Sequence, residues 1–525
     1  MSEIEPNAAP EAAPRTGLGN GVLAVVFVVI LAILGGGGWV VYDTVIKTDD
    51  TTVVLPASVL PASTLAVATV NASPSMSQKI DLFNVISKFP ALKSKVTIGA
   101  KDDAREWVVD QILKKQSCPS VSYAKDFAPW LGNHFALGAV QEGSATAPVA
   151  ALETTDGSAA TAALNKMVSC SGTNDFIFRV VGRYVVASDS TTHLNAIVNE
   201  AQTSPLSTDP GYLKWSNKVG NDGILAFYVA PAGLEAALKM VAANMPGQAT
   251  NFKTLLGEFK GMAGSLGATS DGLELKMAVG SSTIAGGTSA LGDEIAKLPA
   301  DTAIVLGIGM SSSASGNFAK GVIRGLGEAL RGPRDQALTD AETKARIKQY
   351  TGLDVPGDIT TLLGKAIVLS LGGNAPSDLS SLQSPMQLPL GLKIKGDPAR
   401  IKAVIAKIEA KVGGTLAQMG FTSKVSGDDF VLATNQGYAN AITTTGTLGS
   451  DPAFQAAVPD AAQARSLFFV RIDSAWRTAI MNMLSRMGLP NASDIAANTA
   501  GLSALGIASW TDGDAGMVDV KLTTK

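Results

Sequence analysis

The chain is written twice. After residue 55 it aligns with its own second half at a shift of about 240 residues. Leu60-Pro-Ala-Ser-Thr-Leu-Ala-Val-Ala answers Leu298-Pro-Ala-Asp-Thr-Ala-Ile-Val-Leu, and Asp126-Phe-Ala-Pro-Trp-Leu-Gly132 answers Asp358-Ile-Thr-Thr-Leu-Leu-Gly364. Tyr184-Val-Val-Ala-Ser answers Phe430-Val-Leu-Ala-Thr. Ser207-Thr-Asp-Pro-Gly-Tyr212 answers Gly449-Ser-Asp-Pro-Ala-Phe454, and Leu225-Ala-Phe-Tyr-Val answers Leu467-Phe-Phe-Val-Arg. The matches keep one order, which a chance likeness does not. They imply two modules, 55–285 and 290–525, joined through the Gly/Ser/Thr-rich stretch Gly280–Gly292. The competing reading is one continuous α+β domain.

Periodicity gives the elements of a module. Leu65–Val70, His134–Val140, Pro148–Glu153 and Ile224–Val229 are apolar runs of strand length. Phe176–Val181 and Tyr184–Ser188 form a hairpin around Gly182-Arg183, and Leu266–Ser270 and Leu273–Val279 another through Asp271-Gly272. Ser77–Phe89, Ala104–Lys115, Ser158–Val168, Thr191–Ala201, Tyr212–Val219 and Pro231–Asn244 carry helical spacing. The second copy repeats the scheme at Ala303–Ile308, Ala366–Leu371, Leu390–Ile394, Pro398–Lys411, Phe430–Ala433, Ser466–Ile472 and Met517–Leu522. A Ser/Pro-rich loop, Gly372–Pro389, interrupts it. Strand pairs joined by short turns predict an α+β fold: two tandem modules of mainly antiparallel sheet with helices covering a face.

Ahead of the modules, Gly21–Tyr42 holds no charge and Val22–Leu34 is unbroken apolar. As a helix it would reach roughly 33 Å, against about 30 Å for a bilayer core. Arg15 precedes it and Asp43, Asp49 and Asp50 follow, which favours a cytosolic N-terminus. A cleaved signal peptide is disfavoured by Glu3, Glu5 and Glu11 and by the lack of a small-x-small site after Leu34. A buried soluble helix is the remaining rival. The reading is therefore a single-pass plasma-membrane anchor over 21–42, a disordered cytosolic tail over 1–20, and an extracytoplasmic body. Residues 21–42 make the lipid bilayer the first partner.

The 525 residues are 46% hydrophobic and 17% charged with a net charge of −3, which leaves ample core and no basic surface for nucleic acid. Two cysteines and two histidines exclude most metal centres.

The anchor, Leu60-Pro-Ala-Ser-Thr, Asp126-Phe-Ala-Pro-Trp-Leu-Gly132, Gly35–Gly38, Phe89-Pro90 and Thr351-Gly352-Leu353-Asp354 carry a resemblance. The chain resembles the actinobacterial membrane-anchored proteins grouped as domain of unknown function 3352. That resemblance implies an envelope location and no known activity, substrate or catalytic residue.

The remaining motifs have bland readings that outweigh functional ones. In Asp126…Gly132, Asp126 caps a turn, Pro129 fixes φ, Trp130 fills core and Gly132 permits a bend; Asp358 and Gly364 recur in the second copy, but the Pro-Trp pair does not. Cys118 and Cys170 are a candidate disulfide in an extracytoplasmic body. His134 and His193 have no ligand spacing. Ser122-Tyr-Ala-Lys125 lacks the partner motifs of a Ser-x-x-Lys nucleophile, and Gly-x-Ser-x-Gly is missing. Gly307-Ile-Gly309 and Gly321–Gly327 lack phosphate-loop spacing. Thr511-Asp-Gly-Asp-Ala-Gly516 starts like a calcium loop without its closing Glu. Two matching helices carry an apolar stripe suited to a lipid-like ligand, Leu234, Leu238 and Met245 in one copy and Trp476, Ile480, Met483 and Met487 in the other. No cofactor is expected. The function that fits is a non-catalytic binding or scaffolding component whose partner is an envelope protein, the cell wall or a lipid. An apolar-ligand carrier is the alternative, and a hydrolase fits least.

Overall fold

The computed structural model describes residues 55–90, most of 103–171, 176–220, 223–244, 258–281, 291–329, 339–376, 384–486 and 492–525. The tail over 1–20, the anchor over 21–42 and most of Ala104–Lys115 lie outside them. Among the described residues no helix is long and apolar enough to cross a membrane.

The chain divides into two compact units. The first takes its described residues from 55–73, 101–213 and 225–237; the second takes them from 74–100, 214–224 and 238–525. In the first unit lie β1 (Thr64–Asn71), β2 (Leu131–Glu142), β3 (Ala145–Thr154), β4 (Ile177–Val181), β5 (Tyr184–Ser188) and β6 (Leu225–Val229), in the spatial order β6-β1-β2-β3-β5-β4. Helices Gly157–Ser171 and Thr191–Thr203 pack on it.

The second unit holds β7 (Phe259–Thr269), β8 (Gly272–Ser281), β9 (Ile304–Gly309), β10 (Ala366–Leu371) and β11 (Leu390–Lys395). With them are β12 (Thr422–Ser426), β13 (Asp429–Ala433), β14 (Ser466–Arg471), β15 (Leu502–Asp512) and β16 (Ala515–Thr524). Their order is β12-β13-β11-β10-β9-β14-β15-β16-β8-β7. Neighbouring strands run antiparallel in both units. The expected α+β class with a large antiparallel sheet is what the chain forms.

The order β6-β1-β2-β3-β5-β4 reappears as β14-β9-β10-β11-β13-β12, and the details repeat with it. Thr64 and Thr302 are both buried and donate their hydroxyls 2.6 Å to Pro61 O and Pro299 O. Ser190 and Asn435 cap equivalent helices by accepting from His193 N and Tyr438 N. Leu206 and Leu448 are fully buried. Tyr212 meets Tyr228 edge-on at 5.3 Å, and Phe454 meets Phe469 edge-on at 5.1 Å. The pairing Val67↔Tyr228 against Val305↔Phe469 shows that β6 and β14 correspond one residue away from the sequence alignment. Short apolar runs slide easily, and only the ladder fixes them.

The two closing hairpins, β7–β8 and β15–β16, stand side by side. β8 pairs with β16 from Gly272↔Thr523 to Val279↔Gly516. Asp271 at the first hairpin's turn accepts from Lys521, 3.2 Å away, while Thr524 N donates to Asp271 O. Sequence reading finds only the second half of β7, because Gly261–Ser265 is small residues without alternation, and it misses β12, whose Thr422–Ser426 is mostly polar.

One side of the second unit's sheet is its core face. Val305, Val368, Val431, Leu467, Phe469, Ala504 and Ala508 pack there against Leu291, Ile295, Tyr438, Ile442, Leu448 and Phe454 from short helices. The same side carries a buried carboxyl. Asp519 on β16 is 3% exposed, opposite Lys276 and two pairs along from Glu274 and Lys521. Its Oδ1 finds no hydrogen-bond partner among the described residues. Burial, reinforced by Glu274 and Asp460, pushes its pKa up to about 7, and Lys276 and Lys521 offset this only in part.

A carboxyl raised on folding contributes stability that is complete below its unfolded pKa near 4 and is lost as pH rises through about 7. Thermal melts across this range should show Asp519→Asn flattening that loss relative to the parent. Parallel curves for parent and variant would refute the assignment.

Candidate apolar binding face

The sharpest sequence motif proves to be a clasp. Asp126 sits on a π-helical turn, Tyr123–Phe127. Its Oδ2 accepts from Ser122 N at 2.8 Å and its Oδ1 from Lys166 Nζ at 2.7 Å. Burial would raise the carboxyl, but the Lys166 hydrogen bond outweighs it and holds the pKa low. Trp130 is 1% exposed and donates its indole N–H to Asp126 O. Pro129 lies between them in the turn, and a Cβ on Gly132 would meet Glu153 at 2.5 Å. The second copy reproduces the clasp: Asp358 Oδ2 accepts from Asp354 N at 2.6 Å and from Lys407 Nζ at 2.8 Å. Gly364 takes φ +58 with a Cβ position 2.3 Å from Lys395 O. Both aspartates tie a turn to a helix.

The ionisable clusters around Glu153, His193, Glu294 and the Asp512–Asp514 turn are also closed on themselves, unlike Asp519. Glu153 Oε2 accepts from Asn133 N, His134 N and His134 Nδ1, and Arg183 Nη2 reaches Oε1 at 3.1 Å. Burial would raise Glu153, yet these bonds keep it low. His193 stands between Asp189 and Glu142. In the second unit, Glu294 takes Lys393 at 2.7 Å and Lys395 at 2.6 Å, and Lys393 also reaches Asp429 at 2.9 Å. Burial works against the Glu294 anion, but the two lysines bring it down to about 2. Asp512 and Asp514, the calcium-like turn, are neutralised by Lys218 and Lys214. Among the described residues no group of three His, Cys, Asp or Glu is placed to hold a metal.

The open chemistry lies on the other side of the second unit's sheet. Directly opposed pairs link Leu432, Leu392, Leu369, Leu306, Phe468, Ile507, Val520, Leu275 and Leu266, one residue from each of nine strands from β13 to β7. A parallel row runs Leu390, Leu371, Ile304, Val470, Leu505, Leu522 and Leu273. On β9, β10, β13 and β14 the sequence neighbours of the first row are buried on the core face. In the first row only Leu275 is buried; Leu369 is 46% exposed and Leu306 39%. Leu390 and Ile308 are exposed too. At one end of the strands Ile401 and Ile405 of helix Pro398–Val412 cover Ile394 and Phe430. No polar side chain interrupts either row.

The first unit keeps this row in reduced form: Phe227, Ala68, Leu137, Ala150, Ala187 and Phe178. Alanine at 68, 150 and 187 stands where the second copy has Leu306, Leu392 and Leu432. Leu137 is exposed like its counterpart Leu369.

The described residues of the expected helix stripe lie on helices Pro231–Asn244 and Ala475–Arg486. Leu234 and Leu238 are half-buried. Trp476 is buried with its indole N–H 2.8 Å from Gly372 O, so it serves packing. Ile480 is exposed and Met483 half-buried; Met245 and Met487 lie outside the described residues. Cys118 and Cys170 form a disulfide in the first unit, with Cα atoms 5.6 Å apart, beside the cluster of Trp130, Phe127 and Leu164. Sequence reading missed the sheet rows. Their signal was apolar residues at both parities of β9 and β10, an excess an antiparallel strand with one wet face does not need.

Residues 171–387 match the model of a family described as protein of unknown function (DUF3352), and over that stretch the chain resembles it. The match begins at the end of helix Gly157–Ser171 and runs through the hairpin β7–β8 to β10. Comparison with curated proteins and with solved structures finds no match.

Trp130→Ala should lower stability by about 3–5 kcal/mol in denaturant melts, as for other large core truncations, while leaving any ligand capture by the second unit intact. Loss of capture in a folded Trp130→Ala protein would make the motif functional instead. The disulfide closes a loop with a sequence separation of 52, so Cys118→Ser with Cys170→Ser should cost about 4 kcal/mol in the chain-entropy treatment. Both thiols should resist alkylation until reduced; ready alkylation of the native oxidised protein would contradict the bond.

Proposed function

We propose that the chain is a tethered, extracytoplasmic, non-catalytic binding protein of the cell envelope. In this reading residues 21–42 hold it in the plasma membrane with a cytosolic N-terminus. One observation carries it: among the described residues the carboxylates Asp358 and Glu294 are closed by lysines, while Leu306 and Leu369 leave part of an apolar sheet face exposed. A contiguous exposed apolar surface is costly in water and marks a place where something else sits. Catalysis would need a nucleophile or an acid–base pair open to a cleft, and the clusters described are closed. The anchoring rests on the uncharged run from Gly21 to Tyr42 and on the charges beside it.

Two measurements test the reading. Protease added outside intact cells with permeabilised outer layers should digest the body and spare a fragment holding residues 1–42; a protected body would overturn the topology. A benzophenone side chain in place of Leu369 in the full-length protein should give crosslinked adducts in native membranes. The same group at exposed Lys260, away from the rows, should give far fewer. Equal or absent crosslinking at both positions would remove the binding face.

A further inference from the structure

We infer that the face bearing Leu306 and Leu369 binds the acyl chain of a lipid, an inference that rests on the binding reading above. The two rows offer apolar carbon, aliphatic except for Phe468, and no polar side chain. Strands β9, β10 and β11 are paired on both sides, so their main-chain N–H and C=O groups are spent in ladders. In the next row, Ser466 and Ser509 bond each other at 2.5 Å. A protein partner of ordinary affinity asks for about one hydrogen bond per 100–200 Å² and favours Tyr, Trp and Arg at its centre. The rows contain none of these. An acyl chain asks for no hydrogen bond and takes its affinity from buried carbon.

Neighbouring strands stand about 4.8 Å apart, so the middle of the row, Leu392-Leu369-Leu306-Phe468, spans roughly 14 Å, against about 15 Å for the half-bilayer an acyl chain fills. Where Gly21–Tyr42 spans the bilayer, the residues from Asp43 to Leu55 can reach at most about 43 Å, so the body stays close to a supply of lipid. The helix Pro398–Val412, through Ile401 and Ile405, closes one end of the face and leaves Leu306, Leu369 and Leu390 bare. The first copy differs at the same places: with Ala68, Ala150 and Ala187 its row offers less carbon. The stronger site is therefore the second copy's.

The test uses the full chain reconstituted in phosphatidylcholine vesicles carrying a trace of phosphatidylcholine with a photoactivatable acyl chain. After illumination, labelled peptides should include those holding Leu306, Leu369 and Leu390 as well as the span 21–42. Leu306→Asp with Leu369→Asp should cut label on the β9 and β10 peptides roughly tenfold, the equivalent of about 1.4 kcal/mol, with the span still labelled. Because both residues are exposed, the melting temperature should stay near the parent's; a second variant, Leu369→Gln, covers the case where the double variant misfolds. Label confined to 21–42 would overturn the acyl assignment. If the benzophenone at 369 then captures a protein, the binding reading stands without it, and if it captures nothing, both fall.

Discussion

The fold depends on an antiparallel ladder that is apolar on both faces. In most sheets with one covered face, alternate residues turn polar toward water, and the alternation alone fixes which side is in. Here β9 reads Ile304-Val305-Leu306-Gly307-Ile308 and β10 reads Ala366-Ile367-Val368-Leu369. The register is set instead by what each side meets. Val305 and Val368 are buried against the helices that begin at Gly292 and Gln436, and Gly307 leaves room for Ile295. Leu306 and Leu369 meet no such cover.

Charge is handled by the opposite rule. Among the described residues, carboxylates drawn under the surface are closed by cations or N–H donors: Lys166 and Lys407 on the two clasp aspartates, Lys393 and Lys395 on Glu294, and His134 and Arg183 on Glu153. Removing one member of such a group leaves a buried charge uncompensated, which is why these clusters stabilise a specific arrangement more than they add net stability. Asp519 is the exception. Its pKa near 7 is the cost of a carboxyl placed between two paired hairpins with acidic neighbours.

Much of the architecture was legible in the residues. Strands β1, β2, β3, β5, β6, β9 and β10 were found because each is a compact apolar run between turn residues, and helices such as Thr191–Thr203 and Pro398–Val412 because their spacing is regular, while Ser312–Ala329 and Asp340–Thr351 were not anticipated. The Asp126 motif was read as structure because residues 290–525 keep Asp358 and Gly364 and drop the Pro-Trp pair. What was not legible depends on distance in sequence. Leu306 opposes Phe468 and Leu275 opposes Val520, and no local pattern announces such pairs. The helix stripe through Leu234 and Trp476 was a local signal, and the sequence did not announce that the Trp476 indole donates to Gly372 O. The side of the sheet that a helix covers decides which apolar residues are free, and that is a tertiary fact.

The strand order that recurs in the two units lets them differ in the row while keeping much of what lies beneath it. Thr64 and Thr302, Leu206 and Leu448, and the two edge-on aromatic pairs hold the module together and are kept. The outward row does not support the module's core, so alanine and leucine are both tolerated there and the copies are free to diverge. The most direct test is a structure of the full chain extracted with its native lipid. An elongated density lying across β9, β10 and β11 against Leu306 and Leu369 is the predicted result. A face left bare, or one filled by a folded segment of protein, would contradict it.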